Sequence, residues 1–188
     1  MKRFALLSLL AALVPLHADT LGGTIRITPA AGWIREDSLV PGQEEPPFPT
    51  LRYVPKDGRN AAIVLMLLPN NMPGFTITSV VTLARFNLLL AQPYLPSADD
   101  TPPFTELEIP GGLAVCITNE DPALIGKPVP PGEYRIATSA SVLLDRKYLI
   151  HCTIFYDEKD SPELRQALKI LLSATARTSV PSGPSSVI

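Results

Sequence analysis

Histidine, cysteine and surplus positive charge are scarce in this chain, and each scarcity closes a class of function. Among 188 residues there are two histidines, His17 and His151, and two cysteines, Cys116 and Cys152. A histidine-rich zinc site is excluded, and a catalytic triad would have to take His151 as its base. The 16 Lys and Arg stand against 18 Asp and Glu, a formal charge of −2. A nucleic-acid binder carries a basic surface, so no nucleic-acid partner is expected. A glycine-rich phosphate loop, a Gly-x-Ser-x-Gly elbow and a Cys-x-x-Cys pair are all missing, which leaves no cofactor, metal or catalytic motif to carry forward. Disorder is excluded in turn, because 46% of the residues are hydrophobic.

What is present begins at the N-terminus. Lys2 and Arg3 precede the uncharged run Phe4 to Val14 and then Pro15-Leu16-His17-Ala18. A basic start, an apolar run and a small residue, in that order, predict a signal peptide of residues 1–18 cleaved after Ala18. The run breaks at Pro15, short of the roughly 20 apolar residues that a bilayer core requires. No polar positions mark a second face, as a buried first helix would need. No cysteine follows Ala18 to take a lipid anchor, so the expected product is soluble, periplasmic or secreted, with no integral membrane span. Cleavage removes two basic residues and no acidic one, which takes the formal charge to −4 on the remaining 170 residues. That length suits one domain, expected over 19–177.

Proline is abundant, at 21 residues, and it breaks ladders and helix interiors. Regular structure is therefore expected in the proline-free windows Lys56–Leu68, Gly74–Gln92, Gly111–Asp121, Gly132–Ser161 and Glu163–Val180. Thr24 to Thr28 alternates as a half-exposed strand, with a hairpin partner beginning at Trp33-Ile34-Arg35-Glu36 across Pro29 to Gly32. Leu51 to Val54 is a third short strand. Ala61 to Leu68 has no polar interruption and predicts a central strand covered on both faces.

From Thr76 to Gln92 the period changes to that of a helix, with Ile77, Val80, Val81, Ala84, Leu88 and Ala91 as its stripe and Ser79, Thr82, Arg85 and Asn87 elsewhere. Leu83, Phe86 and Leu90 widen the stripe, which fits a broad burial face or a partner groove. Strands are expected at Phe104 to Ile109, Leu113 to Thr118, Tyr134 to Leu144 and Tyr148 to Tyr156, the last two joined at Asp145-Arg146-Lys147. Ser161 can cap a final helix with Pro162 in its first turn and Glu163 at its positive end. Its stripe is Leu164, Ala167, Leu168, Leu171, Leu172 and Thr175, its last residue Arg177, and the Ser/Pro/Gly tail 178–188 is expected to be disordered.

Four features carry a resemblance. Gly32-Trp33 opens an early strand, Ala61 to Leu68 precedes the first helix, Tyr134 to Tyr156 makes a long hairpin, and Ser161 to Arg177 closes the domain. In this order they resemble the Mog1/PsbP-like superfamily over residues 22–177. The resemblance implies an α+β fold, a three-layer α/β/α sandwich around a central antiparallel sheet. It also implies non-enzymatic work, as in extrinsic photosystem subunits, a nuclear GTPase-binding protein, and exported lipoproteins or secretion chaperones. The signal peptide departs from the nuclear role and the missing lipid cysteine from the lipoproteins, so no site residue is carried over.

The residues with chemical potential are few. Alternation puts Tyr148, Ile150, Cys152, Ile154 and Tyr156 on one strand face and Leu149, His151, Thr153 and Phe155 on the other, so His151 and Cys152 point apart. His151 reads either as a packed sheet residue or as a general base. A meander of the three strands sets the outer two about 9–10 Å apart, beyond the roughly 7 Å limit for bridged Cα atoms. Facing adds to this, with Cys116 beside Ala114 and Thr118 and Cys152 among apolar neighbours. Free thiols are expected, or a disulfide if the strand order differs. Asp99-Asp100 with Glu106 and Glu108 reads as a solvated loop and exposed strand face or as an acidic calcium site. Pro46-Pro47-Phe48-Pro49 and Pro128-Val129-Pro130-Pro131 read as stiff loops or polyproline recognition segments.

The expected function is a non-catalytic envelope protein that binds another envelope protein or assists assembly of a complex. The alternative is a small hydrolase or ligand-binding protein using a pocket near His151. A deep polar pocket at His151 would favour the second, and a shallow apolar patch the first.

Overall fold

The computed structural model describes residues 18–36, 47–70, 76–95 and 102–176. The expected signal segment up to residue 17, Pro46, the Asp99-Asp100 pair and the expected tail 178–188 lie outside the described residues.

The chain is α+β. A seven-stranded antiparallel sheet is built from β3 (Trp33–Arg35), β4 (Thr50–Pro55), β5 (Ala62–Leu68), β6 (Thr105–Glu106), β7 (Gly112–Glu120), β8 (Ile136–Leu144) and β9 (Tyr148–Tyr156). The order across it is β3-β4-β5-β9-β8-β7-β6. A second sheet has three strands, β1 (Asp19–Leu21), β2 (Ile25–Ile27) and β10 (Thr175–Ala176), with β2 in the middle. The helices are α1 (Val80–Ala91) and α2 (Pro162–Leu172). Among the described residues no helix is long and apolar enough to cross a membrane.

The meander β7-β8-β9 follows from its sequence. Three runs of nine residues alternate without a proline, and the last two are joined by a turn in which Asp145 and Arg146 both take φ above 50°. That left-handed pair matches the twist of the hairpin and brings Lys147 N–H to Leu144 O, 2.9 Å.

Three expectations are corrected. Thr24 to Thr28 and Trp33 to Glu36 do not pair with each other. β2 instead forms a hairpin with β1, while β3 pairs with β4. The Gly22-Gly23 turn, with both residues at positive φ, makes the nearer hairpin available, and the prolyl segment after Thr28 carries the chain to the other sheet. The last helix ends at Leu172 rather than Arg177. Ser173 turns its hydroxyl back to Ile170 O (2.6 Å) and accepts from Thr28 N–H (2.8 Å), and Thr175 then pairs with Arg26 as a strand.

The buried side of α1 is also rotated from the expected stripe. Leu83, Ala84, Phe86, Asn87 and Ala91 are buried whereas Val81 and Leu89 are exposed. Leu83 and Phe86 are thus core residues, each contributing about 1.5–3 kcal/mol by burial, and not the lining of a partner groove.

The apolar residues form two clusters. One joins Ile150, Cys152 and Ile154 of β9 to Ala167, Ile170 and Leu171 of α2 and to Leu21, Ile25 and Ile27 of the small sheet. The other joins Val115, Leu143 and Leu149 to Leu83, Ala84 and Phe86 of α1. Successive strand residues face opposite ways, so these clusters occupy the two faces of the large sheet. Trp33 Nε1–H donates to Gln166 Oε1 (2.8 Å), which pins the edge of the sheet to α2.

Candidate functional site

Strand register gathers His151 and its polar neighbours on the α1 face. Across β7, β8 and β9, Val115, Ser141 and His151 lie in one row, Ile117, Ser139 and Thr153 in the next, and Asn119, Ala137 and Phe155 in a third. The first two rows build a buried polar network, the third the floor of a groove.

The network centres on Asn87, which α1 drives into the sheet at zero exposure. Asn87 Nδ2 donates to Ser139 O (2.9 Å), and its Oδ1 accepts from Ser139 Oγ (3.0 Å) and Ser141 Oγ (2.8 Å). Ser141 Oγ also lies 3.3 Å from His151 Nδ1, and Thr153 Oγ1 is 3.4 Å from His151 Nε2. The hydroxyl proton of Ser141 is directed to Asn87, so His151 Nδ1–H donates to Ser141 and Nε2 accepts from Thr153. A serine nucleophile needs the reverse, its proton aimed at the imidazole. Burial holds His151 neutral, with its pKa down at about 4. At 2% exposure it lines none of the cavities described here.

Sequence alternation placed His151 on the correct face. It missed Ser139 and Ser141, which the 144–148 turn register could have supplied, and it set Asn87 on the polar side of the helix. A buried asparagine has the same sequence signature as an exposed one until its partners are known.

Cys116 and Cys152 are both free and buried. The facing expectation is corrected. Each pairs across from Ala140, so both are on the α2 face of the sheet. It is the intervening strand that keeps them apart, at about two strand spacings. Burial raises the Cys116 thiol to about 11, and burial and the neighbouring Cys116 raise Cys152 well above its ordinary value, so neither supplies a thiolate. Glu106 and Glu108 are exposed, and among the described residues no three His, Cys, Asp or Glu side chains are grouped to hold a metal.

The groove lies where β7, β8 and β9 run out beyond α1. Its cavity of about 440 Å³ is lined by Tyr94, Asn119, Asp121, Tyr134, Ala137 and Phe155, among others. Ala137 is the small residue between Asn119 and Phe155, which leaves the depression. Tyr134 stacks on Phe155 (centroids 5.1 Å, interplanar 28°), and Tyr94 meets Phe155 edge-on at 5.6 Å. Tyr94 follows α1 in a 3₁₀ turn, Gln92–Tyr94, that Pro93 initiates. The Arg135 guanidinium is turned to main-chain carbonyls, those of Leu124, Lys127 and Asp157. Asn119 is 8% exposed, and its Nδ2 has no hydrogen-bond partner. A buried donor left unmade costs about 1–3 kcal/mol.

Comparison with known protein families and with curated proteins finds no match to this chain.

Proposed function

We propose that the protein is exported by a cleaved signal peptide, is folded as a single-domain three-layer α/β/α sandwich of the Mog1/PsbP-like kind, and acts in the envelope as a non-catalytic module binding another envelope protein. The observation that carries this reading is the division on the α1 face. The general-base candidate is closed in with its hydrogen bonds satisfied, while three aromatic rings line an open groove. Aromatic side chains are favoured at binding surfaces, where they bring large apolar area at small entropic cost. Export is supported by the order of residues up to Ala18 and by the start of the first strand at Asp19, whose carboxylate accepts from the buried Tyr53 hydroxyl at 2.7 Å. The mature charge of −4 speaks for a protein partner and against nucleic acid.

The test is capture of the partner from native envelope with the mature protein and with Tyr134→Ala, alongside an esterase, peptidase and amidase screen. The proposal expects a partner that wild type retains and Tyr134→Ala loses, with no turnover. Turnover abolished by His151→Ala in a folded protein would overturn it in favour of the hydrolase.

A further inference from the structure

A second cavity, of about 430 Å³, opens at the other end of α1 from the groove, between the residues that lead into the helix and the β8–β9 turn. We infer that it binds an aliphatic carboxylate, in its simplest form a medium-chain fatty acid, with the head group on Arg146 and the chain over Ile77, Leu113 and Leu143. The site is separate from the groove and independent of the protein-binding reading.

The aliphatic half follows from the smaller apolar cluster. Leu143 is buried at the base, while Ile77 and Leu113 pack on that cluster and stay only partly covered. Gly111 and Gly112 complete the wall and bring no side chain to fill the space. Among the described residues, the lining is therefore aliphatic or bare backbone except at Thr78 and Arg146, both exposed.

The anionic half follows from two sources of positive potential. Arg146 is the one charged residue among the described residues that line the cavity, and it has no ion-pair partner among them. Thr78 directly precedes the Ser79 cap of α1, whose first turn carries no acidic residue to offset the positive end of the helix. The Asp145 carboxylate beside Gly111 opposes a doubly charged head group, which selects a carboxylate over a phosphate dianion.

The backbone adds a further observation. Arg146 takes φ 54° as the second residue of a two-residue turn, a place where glycine is favoured because a side chain resists that conformation. Asn70 Nδ2 donates to Arg146 O (2.9 Å) and holds the turn. A long cationic side chain kept against the backbone preference points to work for its guanidinium.

The mature protein would be titrated, below micelle-forming concentrations, with decanoate, decyltrimethylammonium, acetate and the peptide acetyl-GGL with its carboxylate free, and methyl resonances followed by NMR. Saturable shifts are expected at the Ile77, Leu113 and Leu143 methyls with decanoate, and binding at least tenfold weaker for the other three. Arg146→Gly removes the cation and suits the turn, so it should keep or raise the urea midpoint while weakening decanoate at least tenfold. Equal binding of decyltrimethylammonium, no binding of any probe, or unchanged binding by Arg146→Gly overturns the inference. So do shifts centred on the exposed Val81 and Leu89 of α1, which would mark unspecific adsorption. Tighter binding of the peptide than of decanoate, lost in Arg146→Gly, assigns the site to a protein C-terminus and overturns the aliphatic occupant.

Discussion

The two faces of the large sheet are built on different principles. On the α2 face, the rows through Ala114, Val142 and Ile150 and through Cys116, Ala140 and Cys152 are apolar and closed by α2 and the three-stranded sheet. On the α1 face, apolar packing is confined to the smaller cluster around Leu83, Phe86, Val115, Leu143 and Leu149. It gives way to Ser141 and His151, then Ser139 and Thr153, then the open row of Asn119, Ala137 and Phe155. One face holds the fold, and the other spends buried volume on polar groups that stabilise it less than apolar packing would. The α2 face has one buried polar patch of its own, where Thr138 Oγ1 lies 2.8 Å from Thr118 Oγ1 and 2.9 Å from the Tyr156 hydroxyl, but its bulk is apolar.

The largest effect is expected on the α2 face. Ile170 is fully buried, and Ile170→Ala should lower the unfolding free energy by about 2–5 kcal/mol, read from urea denaturation. A loss no greater than that of a surface substitution would mean that the α2 face is not the main core. Asn87→Ala comes next. It strips the acceptor from two serine hydroxyls and the donor from Ser139 O, for a cost of about 1–3 kcal/mol in the same measurement.

His151 gives the third effect, as a pH dependence. Its folded pKa is lowered to about 4, whereas an unfolded histidine titrates near 6.5. Between these values the unfolded chain binds a proton that the folded chain does not, so this contribution is fully present above pH 6.5. It falls toward pH 4 by up to about 1.4 kcal/mol per unit. His151→Gln should flatten the urea midpoint between pH 4.5 and 7 relative to wild type. An equal slope in both proteins would assign the pH dependence to other groups.

The smallest effect separates the two buried asparagines. Asn119 has an unpaired amide where Asn87 has three partners, so Asn119→Leu should change stability by no more than about 1 kcal/mol, and in the stabilising direction. A loss as large as that of Asn87→Ala would show that Asn119 holds the fold.

Local signals made much of this architecture legible. Ser161-Pro162-Glu163 marked the start of α2, and unbroken alternation marked β7, β8 and β9 and put His151 opposite Cys152. The failures have physical causes. Thr175 fits the helical stripe, but the bond between Ser173 and Thr28 is a contact 145 residues apart in sequence, and no local pattern encodes it. Asn87 is polar in any window, and its burial depends on Ser139 and Ser141 across the interface. The groove was illegible because it joins Tyr94, Asn119, Tyr134 and Phe155 from four segments, none of which has a motif of its own.

The central claim, that function resides on the α1 face at the groove, is tested most directly by hydrogen–deuterium exchange of the mature protein with and without its captured partner. The account predicts slowed exchange in the segments around Tyr94, Asn119, Tyr134 and Phe155, with α2 and the three-stranded sheet unchanged. Protection confined to α2 and the three-stranded sheet, with the groove segments exchanging as in the free protein, would contradict it.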